Sequence, residues 1–134
     1  ALTAGEFHYA FTNTLSESES DVIYDRYAVP GPGRVLFQGA LANLTPHAAN
    51  AIDFRNDDRA PLLLIAGGED HLAPESQTEA NFKKYAKSEA VTELKSFPGR
   101  SHFTLGEPGW EEVADYALDW AVAAAAGNPS SSAD

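Results

Sequence analysis

Pro61-Leu62-Leu63-Leu64-Ile65-Ala66-Gly67-Gly68-Glu69-Asp70 is the stretch that decides how this chain folds. Its first part is a continuous apolar run of strand length, without alternation, that stops at two glycines. Such a run suits a strand buried on both faces of a parallel sheet. Downstream, Pro74 can open a helix with Glu75 in its first turn, running to about Lys87 and carrying Lys83, Lys84 and Lys87 near its C-terminal end, where the macrodipole favours positive charge. Val91 to Phe97 then alternates enough for a second strand. Leu62 to Phe97 is therefore expected to be a βαβ crossover, right-handed as such units are.

Beyond it, the spacing of Trp110, Val113, Ala114, Ala117, Leu118 and Ala121 predicts one apolar stripe on a final helix that covers the sheet. Acidic residues in its first turn, then Gly127 and Pro129, mark its two ends. Two parallel strands make a poor free-standing sheet, so one edge of the Pro61 to Ala66 strand is expected to pair with something else or to stay open to another chain.

Residues 1 to about 59 read as helices and loops with no convincing strand. Ser16-Glu17-Ser18-Glu19 is a capping-box pattern and predicts a helix from about Glu17 to Tyr27, broken by Pro30-Gly31-Pro32-Gly33. A second helix is expected from near Gly33 to Thr45-Pro46, with Val35, Leu36, Gly39 and Ala40 on one face. Arg55-Asn56-Asp57-Asp58-Arg59 reads as a solvated hinge ahead of the strand, and residues 128 to 134 as a loose tail.

Of 134 residues, 43% are hydrophobic and 10% aromatic, a globular composition of about one domain. The formal charge of −11 repels phosphate backbones and anionic lipid, which excludes nucleic acid as an expected partner. The longest apolar runs, Pro61 to Gly68 and Ala121 to Ala126, are far short of a membrane span, so a soluble protein is expected, cytoplasmic by default. Without cysteine there are no disulfides or thiolate metal sites. Methionine is absent too, from which Ala1 is expected not to be a translational start and the chain to be a piece of something longer.

Two short contexts carry chemistry: Ile65-Ala66-Gly67-Gly68-Glu69-Asp70-His71-Leu72-Ala73-Pro74 and Phe97-Pro98-Gly99-Arg100-Ser101-His102-Phe103. Glu69, Asp70 and His71 do not make a metal site, because neighbours at a strand end point in different directions and ligands must converge; no metal and no cofactor is expected. His8 and His47 read as ordinary polar residues of the helical segment. Phe7, Tyr9 and Phe11 read as core rather than as the lining of a substrate pocket.

Leu62 to Ala121 resembles the C-terminal end of the α/β-hydrolase family. The strand closing on Gly67-Gly68-Glu69-Asp70, with Pro74 four residues past the Asp, resembles that family's acid turn. Pro98-Gly99-Arg100-Ser101-His102-Phe103 resembles its histidine loop, with Ser101 where Gly often stands. The order and the interval of about thirty residues also fit. The resemblance implies Asp70 as orienting acid and His102 as general base in a nucleophile-His-Asp triad. It also implies an α/β fold in three parts: a helical cap-like segment over 1–59, the C-terminal part of the core (βαβ unit and final helix) over 60–127, and the tail over 128–134.

The G-x-S-x-G nucleophile turn is absent from these residues. The expected function is accordingly the acid-and-base part of a hydrolase acting on an ester or related acyl small-molecule substrate, inactive on its own. An Asp nucleophile, as in dehalogenase-like and epoxide-hydrolase-like relatives, and cofactor-free haloperoxidase-like chemistry fit the same residues. The rival from another class is a non-catalytic module. The expected partners beyond substrate are a second copy of the chain or the missing N-terminal half.

Overall fold

The computed structural model describes residues 2–31 and 51–127. The helix expected from Gly33, His47 and the tail lie outside them. Within them the chain is a mixed α/β structure in the order α1 (Ala4–Phe11), α2 (Glu17–Tyr27), β1 (Leu62–Gly67), α3 (Glu75–Tyr85), β2 (Thr92–Phe97) and α4 (Trp110–Ala125).

Capping chemistry fixes the two N-terminal helices. Thr3 caps α1 and Ser16 caps α2, each closing a box with the glutamate three residues on, Glu6 and Glu19. The Thr3 amide donates to Glu6 Oε2 at 2.8 Å and the Ser16 amide to Glu19 Oε2 at 3.0 Å. Those bonds hold both carboxyls below the usual glutamate value, through the Thr3 backbone foremost for Glu6 and the Ser16 hydroxyl foremost for Glu19. Phe7 is buried between the helices, stacked on Phe11 and edge-on to Tyr24. Behind it, Thr12 and Ser20 share a buried hydroxyl bond of 2.6 Å.

The strands pair in parallel, Leu62 opposite Thr92 through Gly67 opposite Phe97. The helix between them, α3, packs on both strands. Full burial of β1 is not realised: only Ala66 and Gly67 are buried, while Leu62 to Ile65 stay partly exposed. Among the described residues β2 is the single strand neighbour of β1.

The final helix is rotated from the expected stripe. Val113 is fully buried, but Trp110 and Leu118 are exposed, and the half-buried aromatics are Tyr116 and Trp120. The cause is a polar anchor on β2: Tyr116 Oη donates to Glu93 Oε1 at 2.7 Å and Trp120 Nε1 to Glu93 Oε2 at 2.9 Å. Amphipathic rings with satisfied polar tips thus outcompete Leu and Trp at positions a simple apolar count would choose.

Donation to Glu93, with burial and the Glu93 charge adding to it, pushes the Tyr116 phenol from 10.0 up to about 12. A group whose folded value is raised contributes stability that is complete below its unfolded value. That contribution is lost as pH rises from 10 through about 12. Tyr116→Phe is therefore expected to lower stability by about 1 kcal/mol near neutrality, with the gap to wild type closing in strong base. Urea melts at a series of pH values measure this; a gap that stays constant to the alkaline end would refute it.

The connector ahead of β1 is exposed from Arg55 to Asp58, as expected of a solvated segment, but it is also tied to the start of β2. Arg59 donates to the carbonyls of Val91 and Ala90 at 3.0 Å each and to Thr92 Oγ1 at 2.5 Å, and its guanidinium lies 5.0 Å from the Tyr85 ring centre. Asp57 accepts the Glu89 amide at 2.7 Å. Charge-assisted bonds to carbonyls at the start of β2 make Arg59 a clasp across the base of the βαβ unit.

Candidate functional site

Asp70 and His102 stand on the two loops that leave the C-terminal ends of the parallel strands. This is where open α/β sheets present their ligand sites. Backbone bonds lash the loops together: the Gly68 amide donates to the Phe97 carbonyl at 3.0 Å and the Glu69 amide to the Arg100 carbonyl at 2.9 Å. Gly67 is required there by space. A Cβ at that position would lie 2.6 Å from the Arg100 carbonyl oxygen and 2.8 Å from that of Ser101.

The Asp70 carboxylate divides its two oxygens between two tasks. Oδ1 accepts the amides of Leu72 and Ala73, each at 2.8 Å, and so fixes the turn that leads into α3. Oδ2 lies 2.8 Å from His102 Nδ1. An ionised carboxylate only accepts, so Nδ1 carries the proton and Nε2 of the neutral ring keeps its lone pair. The Asp70 side chain is 9% exposed and that of His102 33%, so the acid is shielded while the ring remains within reach of a ligand.

That ring lines a cavity of about 560 Å³, bounded by Ile65, Ala66 and Gly67 of β1, by Thr78 of α3, and by Phe103 to Gly106 and Tyr27. Among the described residues that line it, β1 contributes three and β2 none. Phe11 meets the His102 ring edge-on with centroids 4.9 Å apart, and its carbonyl accepts the Phe103 amide at 2.9 Å. The helical segment therefore forms one wall of the site. Of its aromatics, Phe7 is core, Phe11 touches the candidate base, and Tyr9 is 66% exposed against His71.

The neighbouring titratable groups diverge. His71 Nδ1 bonds the Tyr9 carbonyl oxygen at 2.9 Å while Asp70 faces His102. Among the described residues no cluster of His, Cys, Asp and Glu could hold a metal ion. His8 Nδ1 is buried with no hydrogen-bond partner among the described residues.

Two residues beside the pair were not signalled by the sequence. Glu107 is 4% exposed; its Oε1 accepts the Ser101 amide at 3.1 Å, and its Oε2 accepts Ser101 Oγ at 3.3 Å and Thr14 Oγ1 at 2.7 Å. Ser101, fully buried, passes the bond on by accepting the Phe103 amide at 3.2 Å. Serine in the position before the histidine thus has a use that glycine could not serve. Only its being a departure from the resembled pattern pointed to it.

Comparison of the chain with protein-family models, with curated proteins and with solved structures gives no significant match.

Proposed function

We propose that this chain supplies the acid and the base of an α/β-hydrolase-type nucleophile-His-Asp triad acting on an ester or related acyl substrate. The observation that carries the proposal is the 2.8 Å contact between Asp70 and His102 Nδ1, with the ring lining the cavity at the ends of parallel strands. A shielded carboxylate that fixes the Nδ1–H tautomer leaves Nε2 free to take a proton from a nucleophile, and stabilises the imidazolium that results. Among the described residues no hydroxyl hydrogen-bonds Nε2; of the cavity's hydroxyls, that of Thr104 donates to the Ser101 carbonyl at 2.6 Å. The nucleophile and the oxyanion donors belong, on this proposal, to residues outside this chain that reach the cavity beside His102.

The test has two parts. The chain as it stands is expected to turn over p-nitrophenyl acetate no faster than its His102→Ala variant, because a base without nucleophile and oxyanion donors retains little of the machinery. The reading frame ahead of the codon for Ala1 is expected to encode a strand pattern followed by G-x-S-x-G. An Asp at the centre of that turn would shift the chemistry to an ester intermediate opened by water, with the same pair. A frame with neither would overturn the proposal.

A second reading, self-association, is favoured by one specific observation. Among the described residues β1 pairs with β2 alone, and Trp110, Leu118 and Val122 on α4 are exposed. Strand edges of this kind recruit other chains. Light scattering on the isolated chain is expected to report a species larger than the monomer; a well-folded monomer at high concentration would remove this reading.

A further inference from the structure

We infer that Glu107 is a positioning residue for His102, an inference that rests on the acid-base reading of the Asp70–His102 pair. The loop between β2 and α4 leaves the sheet through Arg100 and Ser101, turns at His102 to Gly106, and returns through Glu107 to Gly109. Nothing in regular secondary structure holds its two arms together, so side chains do. The Glu107 carboxylate, on the returning arm, grips the amide and the hydroxyl of Ser101 on the outgoing arm. Arg100 closes the same ring from the other side: Nη1 donates to the Pro108 carbonyl at 2.9 Å, and Nη2 to the Gly109 carbonyl.

Arg100 Nη1 also stands 4.0 Å from Glu107 Oε1, so the buried carboxylate has a cation beside it as well as three donors. Buried charge is tolerated on those terms. The residue whose amide is gripped immediately precedes His102. A small displacement of Ser101 therefore swings the imidazole relative to Asp70, whose own place is fixed separately by the Leu72 and Ala73 amides. The third donor, Thr14 Oγ1, comes from the turn between α1 and α2, so the same carboxylate locks the wall carrying Phe11 to the loop carrying the base.

The readout is the tautomer of His102 in the intact chain, measured from its imaged imidazole ¹⁵N shifts, alongside thermal stability. Asp70→Asn replaces the acceptor for Nδ1–H by an NH2 donor and sets the value of the opposite tautomer. Glu107→Asp keeps the charge but withdraws it by one methylene, so that it no longer spans Ser101 and Thr14 together. It is expected to lose much of the Nδ1–H population, moving toward the Asp70→Asn value. Glu107→Gln keeps the length, an acceptor for the Ser101 amide and donors that the two hydroxyls can accept, and is expected to retain the wild-type tautomer.

Thr14→Val, at an exposed position, is the second variant should Glu107→Asp not fold; it is expected to lower the same population to a smaller extent. A purely structural role predicts lower stability with the tautomer unmoved in Glu107→Asp and Thr14→Val, and that result overturns the inference alone. A wild-type ring already at the Asp70→Asn value overturns the acid-base reading and the inference with it.

Discussion

Asp70→Asn is expected, on the proposed acid-base function, to lower kcat by about 10⁴-fold in a form of the protein that carries a nucleophile, with the fold retained. The reason lies in how the carboxylate is shared. Oδ1, which accepts the Leu72 and Ala73 amides, is reproduced by the Asn carbonyl oxygen. The group facing His102 Nδ1 becomes an NH2 donor in place of an acceptor. The ring must then present its Nδ1 lone pair and carry its proton on Nε2, which is the wrong tautomer for taking a proton from a nucleophile. Steady-state kinetics of that form and its variant check this. A loss under tenfold, with the variant shown by ¹⁵N shifts to have switched tautomer, would mean that His102 is not the base.

Gly67→Ala is expected to destabilise the fold by about 3 kcal/mol, with a fall in Tm of roughly 10 °C. The obstacle is backbone on both sides: the added methyl would meet the carbonyl oxygens of Arg100 and Ser101 at 2.6 and 2.8 Å. No rotamer change relieves such contacts, so the loop carrying His102 must lift away from the acid turn. Loss of the Asp70–His102 bond should therefore accompany the loss of stability. Gly31→Ala is the control, since no atom of the described residues lies within 4 Å of a Cβ there. Equal melting temperatures for the two variants would show that the loop has more freedom than the packing allows.

The parts of this structure that could be read in the sequence are those written in local chemistry. Ser16 and Glu19 mark the start of α2, and the chain obliges from Glu17 to Tyr27. Thr3-Ala4-Gly5-Glu6 carries the same signal for α1, which shows how much a capping box says when it is looked for. Asp70 and His102 are legible because each sits in a short context with its own turn residues, and the two contexts lie on adjacent strand ends.

What escaped reading depends on partners far away in the chain. Arg59 sits in a charged run that looks solvated, yet its acceptors are the carbonyls of Ala90 and Val91, which no sequence pattern marks. The inner face of α4 is chosen by Glu93, whose carboxylate attracts Tyr116 and Trp120 and turns Leu118 outward. Glu107 precedes a proline in a loop and reads as surface charge; its burial follows from Ser101 and Thr14 closing on it.

The bond from Thr14 to Glu107 joins residues 93 positions apart. Contacts that close so long a stretch of chain gain little until nearer ones have formed, because the entropy of the loop must be overcome first. The βαβ unit and the two capped helices are built from much shorter-range contacts and can form ahead of it. The wall bearing Phe11 and the loop bearing His102 therefore meet late on the way to the native state, and they part early when it loosens. Competence of the site is in this sense the last thing the chain acquires, and its amides at Phe103 and Ser101 are where the opening of the molecule should first exchange with solvent.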